Sequence, residues 1–308
     1  MNYFDLHCDT ISECYNKHQG LLVNSMQLNL EKGKNIKDWV QTYAIWIDDL
    51  LSDEGAYCYF EQVYEYFLKQ MNELNTQISF CKSYGEMELA LTKGKKVALL
   101  AIEGSRALGK KLERVEAFYN KGVRMMTLTW NGKTHVADGC MVENAGGLTY
   151  FGKQVIGKME ELGMLIDVSH LAEKGFWDVV RHTKKPFIAT HSNSKAVCEH
   201  PRNLTDKQFQ IFVERRGLVG VNYYPLFTNG TLQGDIEEIL PHIDHFLELG
   251  GEDVIAMGSD FDGAKMPNNM KGIEDVGYFY QLLVKRYGEA RADKFFFKNA
   301  QRFMYENL

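Results

Sequence analysis

The stretch "KVALLAIEG", residues 96–104, is an apolar run that ends in a glutamate. Aliphatic runs of this length are typical of a strand buried on both faces, as in parallel sheets. A carboxylate at the end of such a strand is costly to bury unless something binds it. The stretch therefore predicts a parallel strand with a functional group at its C-terminal end.

Seven more apolar runs have the same character, and stretches with helical periodicity lie between them. The eight predicted strands are residues 3–8, 39–47, 96–104, 123–130, 164–170, 186–192, 217–224 and 253–263. Eight strands alternating with helices fit a TIM-like (β/α)8 barrel better than an open doubly wound sheet. We predict an α/β barrel of the metal-dependent hydrolase type, formed by residues 1–308 as a single domain.

Composition excludes several classes of function. Apolar residues make up 45% of the 308 residues and charged residues 25%, with a net charge of −6 and no basic tract. This balance argues against nucleic acid or a charged membrane surface as a partner. The six cysteines form no C-x-x-C pair, and neither a signal peptide nor a membrane-spanning run is apparent. We expect reduced thiols and a cytoplasmic protein.

The segment "DLHCDT", residues 5–10, places two acids and a histidine within five positions. Strand alternation predicts that Asp5, His7 and Asp9 share one face, with Cys8 packed on the other. Three ionisable groups on one buried face suggest a bound metal.

Polar residues also end four other predicted strands, as Glu103, Asp167 with His170, His191, and Asp260 with Asp262. A single buried histidine is usually a core residue. Acids and histidines at the ends of several strands are much less easily explained by chance. In a barrel these ends converge on one face, where active sites lie. Histidine and carboxylate ligands suit zinc or a similar divalent ion, and their number suffices for two ions.

Several motifs carry a family resemblance that covers most of the chain. They are "DLHCDT", "AIEG", "LIDVSH", "THS" followed by "HPRN", and "GSDFDG". In this order they resemble the membrane (renal) dipeptidase family, the zinc dipeptidases of peptidase family M19. The resemblance implies a TIM-like barrel that hydrolyses dipeptides, including those with a C-terminal D-residue, through a hydroxide bridging two zinc ions per chain.

The resemblance also implies roles for individual residues. By position, it assigns His7 and Asp9 to the first zinc, His170 and His191 to the second zinc, and Glu103 to both ions. It assigns Arg202 to the substrate carboxylate. Asp260 is assigned to the bridging water and the substrate amino group. Asp260 would then act as general base and afterwards as general acid. Tyr223 and Tyr224 follow the seventh strand and either line the pocket or pack on the barrel rim, and we name Tyr223 as a candidate substrate contact.

One position departs from the family pattern. Trp130 in "TLTWNGKTHVADG" stands where many members have a histidine that contacts the substrate. Tryptophan offers a single N–H donor. Either Trp130 serves with that group, or His135 takes its place, or the metal alone stabilises the transition state. We favour an active enzyme with altered substrate preference.

Alternative functions remain open. A related amidohydrolase acting on another small amide would usually have H-x-H on the first strand, and a phosphoesterase would need a glycine-rich phosphate loop. A metal-binding homologue without turnover would be expected to lack ligands. Manganese or cobalt could replace zinc. Residues 294–305 predict a C-terminal helix that either packs on the barrel or contributes to a homodimer, and packing is favoured.

Overall fold

Parallel strands close into a barrel in the computed structural model, which describes all 308 residues. The strands are β1 (Tyr3–Cys8), β2 (Trp39–Trp46), β3 (Ile78–Phe80), β4 (Lys96–Glu103), β5 (Val123–Thr127), β6 (Leu165–Asp167), β7 (Ile188–Ala189), β8 (Leu218–Val221) and β9 (Ile255–Met257). β1 pairs with both β2 and β9, and pairing of β2 with β4 closes the ring. The predicted eight-stranded TIM-type barrel is confirmed.

The short strand β3 was not predicted from the sequence. It pairs only with the first half of β4, from Lys96 to Ala98. β5 pairs with the second half of β4, from Leu100 to Glu103. β3 therefore fills the part of the β4 edge that β5 leaves free, and the barrel itself keeps eight strands.

Helices surround the barrel and largely follow the predicted periodicity. They are α1 (Thr10–Lys17), α2 (Asp53–Glu73), α3 (Tyr84–Thr92), α4 (Glu113–Lys121), α5 (Tyr150–Leu162), α6 (Glu173–His182), α7 (Asp206–Arg215), α8 (Pro225–Thr228), α9 (Leu240–Glu248), α10 (Val276–Tyr287), α11 (Glu289–Asp293) and α12 (Asn299–Asn307). Thr205 caps α7 in a reciprocal capping box with Gln208. No helix combines the length and apolar character needed to span a membrane.

A bulge in β1 changes which side chains face the barrel interior. Asp5 pairs with Gln41 and Cys8 with Tyr43, so β1 has one residue more than β2 over this interval. The prediction that Asp5 and His7 share a face is therefore wrong. Asp5 instead accepts hydrogen bonds from the Gln41 side chain and from Ser259. The extra residue turns His7 toward the interior of the barrel.

The C-terminal segment packs against the barrel. A π-helical turn, Lys294–Lys298, precedes α12. Phe297, Phe303 and Met304 are buried in the same apolar cluster as Phe4 of β1. The ring of Phe296 lies 5.4 Å from that of Tyr3. The predicted packing role of this segment is confirmed.

Candidate active site

Glu103 lies at the centre of a buried polar cluster at the C-terminal ends of the strands. It is the last residue of β4 and is almost fully buried. Its Oε2 lies 3.6 Å from Nε2 of His7, and its Oε1 lies 2.8 Å from Nε2 of His170 and 3.4 Å from Nε2 of His191. The two carboxylate oxygens therefore face two separate groups of side chains.

Two acids complete the cluster around His7. Oδ2 of Asp9 lies 3.4 Å and Oδ1 of Asp260 lies 3.9 Å from Nε2 of His7. Three sets of ligand atoms each lie within 4.8 Å of one another: His7, Asp9 and Glu103; Glu103, His170 and His191; and His7, His191 and Asp260. The structure thus brings together all six residues that the family resemblance assigned to the metals and their water.

The donor atoms of this cluster fit metal ions. Nε2 of His7 and Oδ1 of Asp9 are buried and have no hydrogen-bond partner. Nε2 of His170 and Nε2 of His191 lie only 3.0 Å apart, with their ring nitrogens directed at each other. Buried polar atoms without a hydrogen-bond partner are rare in folded proteins, and imidazole and carboxylate groups are the ligands that zinc takes.

Burial and mutual charge shift the ionisation of the cluster. Burial, together with the Glu103 carboxylate, raises the pKa of Asp9 to about 8. Burial also lowers the pKa of His170, and burial with the charge on His7 lowers the pKa of His191 well below 6.5. Both histidines are therefore neutral near pH 7, which is the form of imidazole that binds a metal.

Unusual backbone conformations place some of these side chains. His170 and Asp260 have φ angles of 66° and 63°, in the left-handed region that non-glycine residues rarely adopt. Such strain is typical of functional sites. Gly263 is constrained in a different way, by lack of space: a Cβ atom there would lie 2.0 Å from Oδ2 of Asp9.

Two asparagines orient the cluster and were not identified from the sequence. Oδ1 of Asn131 lies 3.0 Å from Nδ1 of His170, which leaves Nε2 of that histidine facing Glu103. Nδ2 of Asn222 donates to Oδ2 of Asp260 over 2.9 Å. In the sequence, only the position of Asn131 next to Trp130 and that of Asn222 directly after β8 pointed to these roles.

A cavity of about 330 Å³ opens onto this cluster. Asp9, Glu103, His170 and Asp260 contribute to its wall. The remaining lining residues are Ser12, Glu13, Trp46, Trp130, Asn131, Tyr224, Phe227, Asp262, Gly263 and Ala264. Trp130 thus lines the cavity, whereas Trp46 and Phe227 were not identified from the sequence.

Tyr223 does not line the cavity, so the prediction that it contacts the substrate is wrong. Its side chain is fully buried, and its hydroxyl lies 3.1 Å from that of Tyr3. Its ring packs edge-on against Phe261 and Phe279. The neighbouring residue Tyr224 lines the cavity instead.

Two other predicted residues lie outside the cavity wall. Arg202 is buried beside the cluster, donates from Nη2 to the carbonyl of His191 over 3.1 Å, and has its guanidinium 5.3 Å from the ring centre of Phe227. Its Nε is buried without a hydrogen-bond partner. His135 lies 2.8 Å from Oδ2 of Asp53, so the structure does not place it where it could replace the expected histidine.

The sequence matches a known protein family over nearly its whole length. The model of the membrane dipeptidase family, peptidase family M19, matches residues 1–307. A Klebsiella pneumoniae protein described as an uncharacterized protein in the pqqA 5′ region is 34% identical over 235 residues. That match covers 72% of this chain and 86% of the relative.

Solved structures share the fold. The structure of dipeptidase AC, a metallopeptidase of family M19, is 25% identical with a TM-score of 0.94, covering 100% of this chain and 98% of that one. A Rhodobacter sphaeroides metallopeptidase, bound to a phosphinate mimic of L-Ala-D-Ala, is 24% identical with a TM-score of 0.93 over 100% and 99%. The probable dipeptidase PvdM from Pseudomonas aeruginosa is 19% identical with a TM-score of 0.88 over 99% and 95%.

Proposed function

Because the chain belongs to the membrane dipeptidase family, peptidase family M19, we propose that it hydrolyses the peptide bond of dipeptides at the Glu103 cluster. The single observation that carries this proposal is the position of the Glu103 carboxylate. One oxygen faces His7 and the other faces His170 and His191. A carboxylate shared between two sets of ligands supports a pair of ions.

We propose zinc as the metal, with two ions per chain. His7 and Asp9 would hold one, His170 and His191 the other, and Glu103 both. Bound divalent ions supply a Lewis acid and lower the pKa of water from its value in bulk toward neutrality. Manganese and cobalt fit the same ligand atoms, so measurement of the metal content of the purified protein distinguishes them from zinc.

Asp260 is the proposed proton carrier. Its Oδ2 is held by Nδ2 of Asn222, so the other oxygen, Oδ1, faces the cluster. From there Oδ1 accepts the proton of the attacking water and returns it to the leaving amine nitrogen, as a general base and then a general acid. This role requires a carboxylate in reach of both atoms.

Arg202 is the proposed ligand of the substrate carboxylate. Its free, buried Nε supports this role, because a buried guanidinium N–H without a partner favours an incoming acceptor. Its absence from the cavity wall means that the side chain has to become accessible when substrate binds. Trp130, which does line the cavity, is the other proposed substrate contact.

The substrates are proposed to include dipeptides with a C-terminal D-residue. The Rhodobacter sphaeroides metallopeptidase, which shares this fold, binds a phosphinate mimic of L-Ala-D-Ala. The cavity here, of about 330 Å³, is in the size range of sites for small ligands.

We also propose that residues 1–308 act as one domain in the cytoplasm, without nucleic acid or membrane as partner. All six cysteines are unpaired, which supports a reducing compartment. The net charge of −6 supports the exclusion of nucleic acid. Cell fractionation tests the compartment, and light scattering of the purified protein tests whether it forms a homodimer.

The experiment that tests this function is dipeptide hydrolysis by metal-stripped protein titrated with zinc. It uses one L,L and one L,D dipeptide, with Asp260→Asn as the control. We expect activity to reach a plateau near two zinc ions per chain and to be lost in the control. Tight binding of two ions without cleavage of any dipeptide would overturn dipeptide hydrolysis and favour another small amide as substrate.

A further inference from the structure

Two tryptophans from distant parts of the chain form one wall of the cavity. The rings of Trp46 and Trp130 lie 5.0 Å apart at an angle of 81°, in an edge-to-face arrangement. Both residues line the cavity. We call this pair the tryptophan wall.

The barrel holds the tryptophan wall next to the reactive cluster. Trp46 ends β2 in direct register with Glu103 at the end of β4. Its backbone N–H donates to Oγ of Ser12 over 3.0 Å. The ring of Trp130 lies 6.4 Å from that of His170. The wall is therefore fixed beside the groups proposed to act on the peptide bond.

A second aromatic pair lines the same cavity. The rings of Tyr224 and Phe227 lie 5.0 Å apart at 76°. Ala264 adds a further apolar contact surface. Four aromatic rings in a cavity of this size leave a large apolar surface for a substrate side chain.

The charged groups outside the reactive cluster already have partners. Oε2 of Glu13 lies 2.6 Å from Nζ of Lys17. Asp262 accepts hydrogen bonds from Oγ1 of Thr10 and from the backbone N–H of Gln27. No lysine or arginine lines the cavity. An acidic substrate side chain would therefore lose its hydration without gaining a cationic partner, and a basic one would have to compete with the groups already bound to Glu13 and Asp262.

From this geometry we propose that the tryptophan wall selects dipeptides in which at least one residue has a large, uncharged, apolar side chain, such as leucine or phenylalanine. The proposal rests on the proposed dipeptidase function and specifies its substrate class. Burial of an apolar side chain against the two rings supplies the selectivity, because removing apolar surface from water lowers the free energy of the complex. Trp46 and Trp130 are then specificity-determining residues.

The test is a matched series of dipeptides in which one position is alanine and the other is glycine, leucine, phenylalanine, aspartate or lysine, made in both orders. The zinc-loaded protein is compared with Trp130→Ala and Trp46→Leu. Trp177→Ala is the matched control, because Trp177 lies on α6 and its indole N–H contacts Glu173, outside this cavity. The quantity compared is the ratio of kcat/KM between substrates of one series.

We expect leucine and phenylalanine substrates to exceed the glycine and aspartate substrates by about 10- to 100-fold in kcat/KM. Each wall variant should reduce that ratio by about 10-fold, whereas Trp177→Ala should leave it unchanged. A preference for aspartate or lysine would overturn the proposal. So would an equal loss for every substrate in both wall variants.

Direct binding separates failure of this proposal from failure of the proposed function. If no dipeptide is cleaved, calorimetry still measures the affinity of the wild-type protein for the leucine and the aspartate dipeptide, and so shows which of the two is preferred. Tighter binding of the leucine dipeptide, reduced in Trp130→Ala, would support the tryptophan wall even though dipeptide hydrolysis had failed. Equal affinity for the two dipeptides would overturn it.

Discussion

Oγ1 of Thr190 lies 2.8 Å from Nδ1 of His191, the next residue in the chain. The same hydroxyl lies 2.6 Å from Oδ2 of Asp167 at the end of β6. A carboxylate accepts and a hydroxyl has one proton, so Thr190 donates to Asp167 and accepts from the N–H of His191. This arrangement places the proton of His191 on Nδ1 and leaves Nε2 free toward Glu103, as is typical of metal-binding histidines.

Thr190→Val should weaken metal binding without removing a ligand. Valine has nearly the same shape but cannot accept from Nδ1 of His191, and loss of such a supporting contact typically costs about 10- to 100-fold in metal affinity. Competition with a chelator of known affinity measures the change. Thr190→Ser keeps the hydroxyl and serves as the control, so equal affinities of the two variants would contradict the positioning role.

Glu103→Gln should abolish the binding of two ions. The glutamine is isosteric but neutral, and both sets of ligand atoms depend on this one carboxylate. We expect metal affinity to fall by more than the roughly 10- to 100-fold typical of a supporting residue. Native mass spectrometry counts the ions. Glu13→Gln, in the same cavity but paired with Lys17, should retain two ions.

Gly263→Ala should disturb the site rather than the fold. The added Cβ would lie 2.0 Å from Oδ2 of Asp9 and 2.8 Å from Oδ1 of Asp260. Displacement of reacting groups by about 1 Å costs about 100-fold in activity. Steady-state kinetics together with thermal unfolding would distinguish the two effects.

The matched control for that change is Gly157→Ala. Gly157 lies in the interior of α5, and a Cβ there would have nothing within 4 Å. This variant should keep full activity and gain up to about 1 kcal/mol in the free energy of unfolding, because alanine favours the helix. Equal loss of activity in both glycine variants would contradict the steric argument.

His242 should make the protein less stable in mild acid. It is fully buried, accepts from the backbone N–H of Ser194 at Nδ1, and donates from Nε2 to the carbonyl of Thr228. Burial lowers its pKa to about 4. As pH falls below about 6.5, the unfolded chain binds a proton that the folded chain excludes, so the free energy of unfolding decreases until about pH 4.

The measurement is urea unfolding of metal-stripped wild type and His242→Gln at pH 7 and pH 5. The loss of stability between these pH values should be about 1–2 kcal/mol smaller in the variant, because the variant lacks this proton-linked contribution. His242→Gln should also be less stable than wild type at pH 7, where the neutral histidine makes both hydrogen bonds. An equal loss in the two proteins would show that other groups account for the acid sensitivity.

The barrel was predictable because its signals are local. Each apolar run identifies a buried strand by its own composition, and "KVALLAIEG" predicted both β4 and the acid at its end. The prediction that strand ends converge also identified the residues around Glu103, since the ends of parallel barrel strands meet on one face. The short strand β3 gave no such signal, because three residues are too few for a periodic pattern.

The sequence by itself determined the order of strands and helices and the residue types available to the site. Only the tertiary structure decided the face on which individual side chains lie. The bulge in β1 separates His7 from Asp5, and the chain after β8 directs Tyr224 rather than Tyr223 into the cavity. A shift of one residue reverses the face of a side chain, and it depends on pairing with distant strands. For the same reason the contact between Trp46 and Trp130 exists only once the barrel has closed.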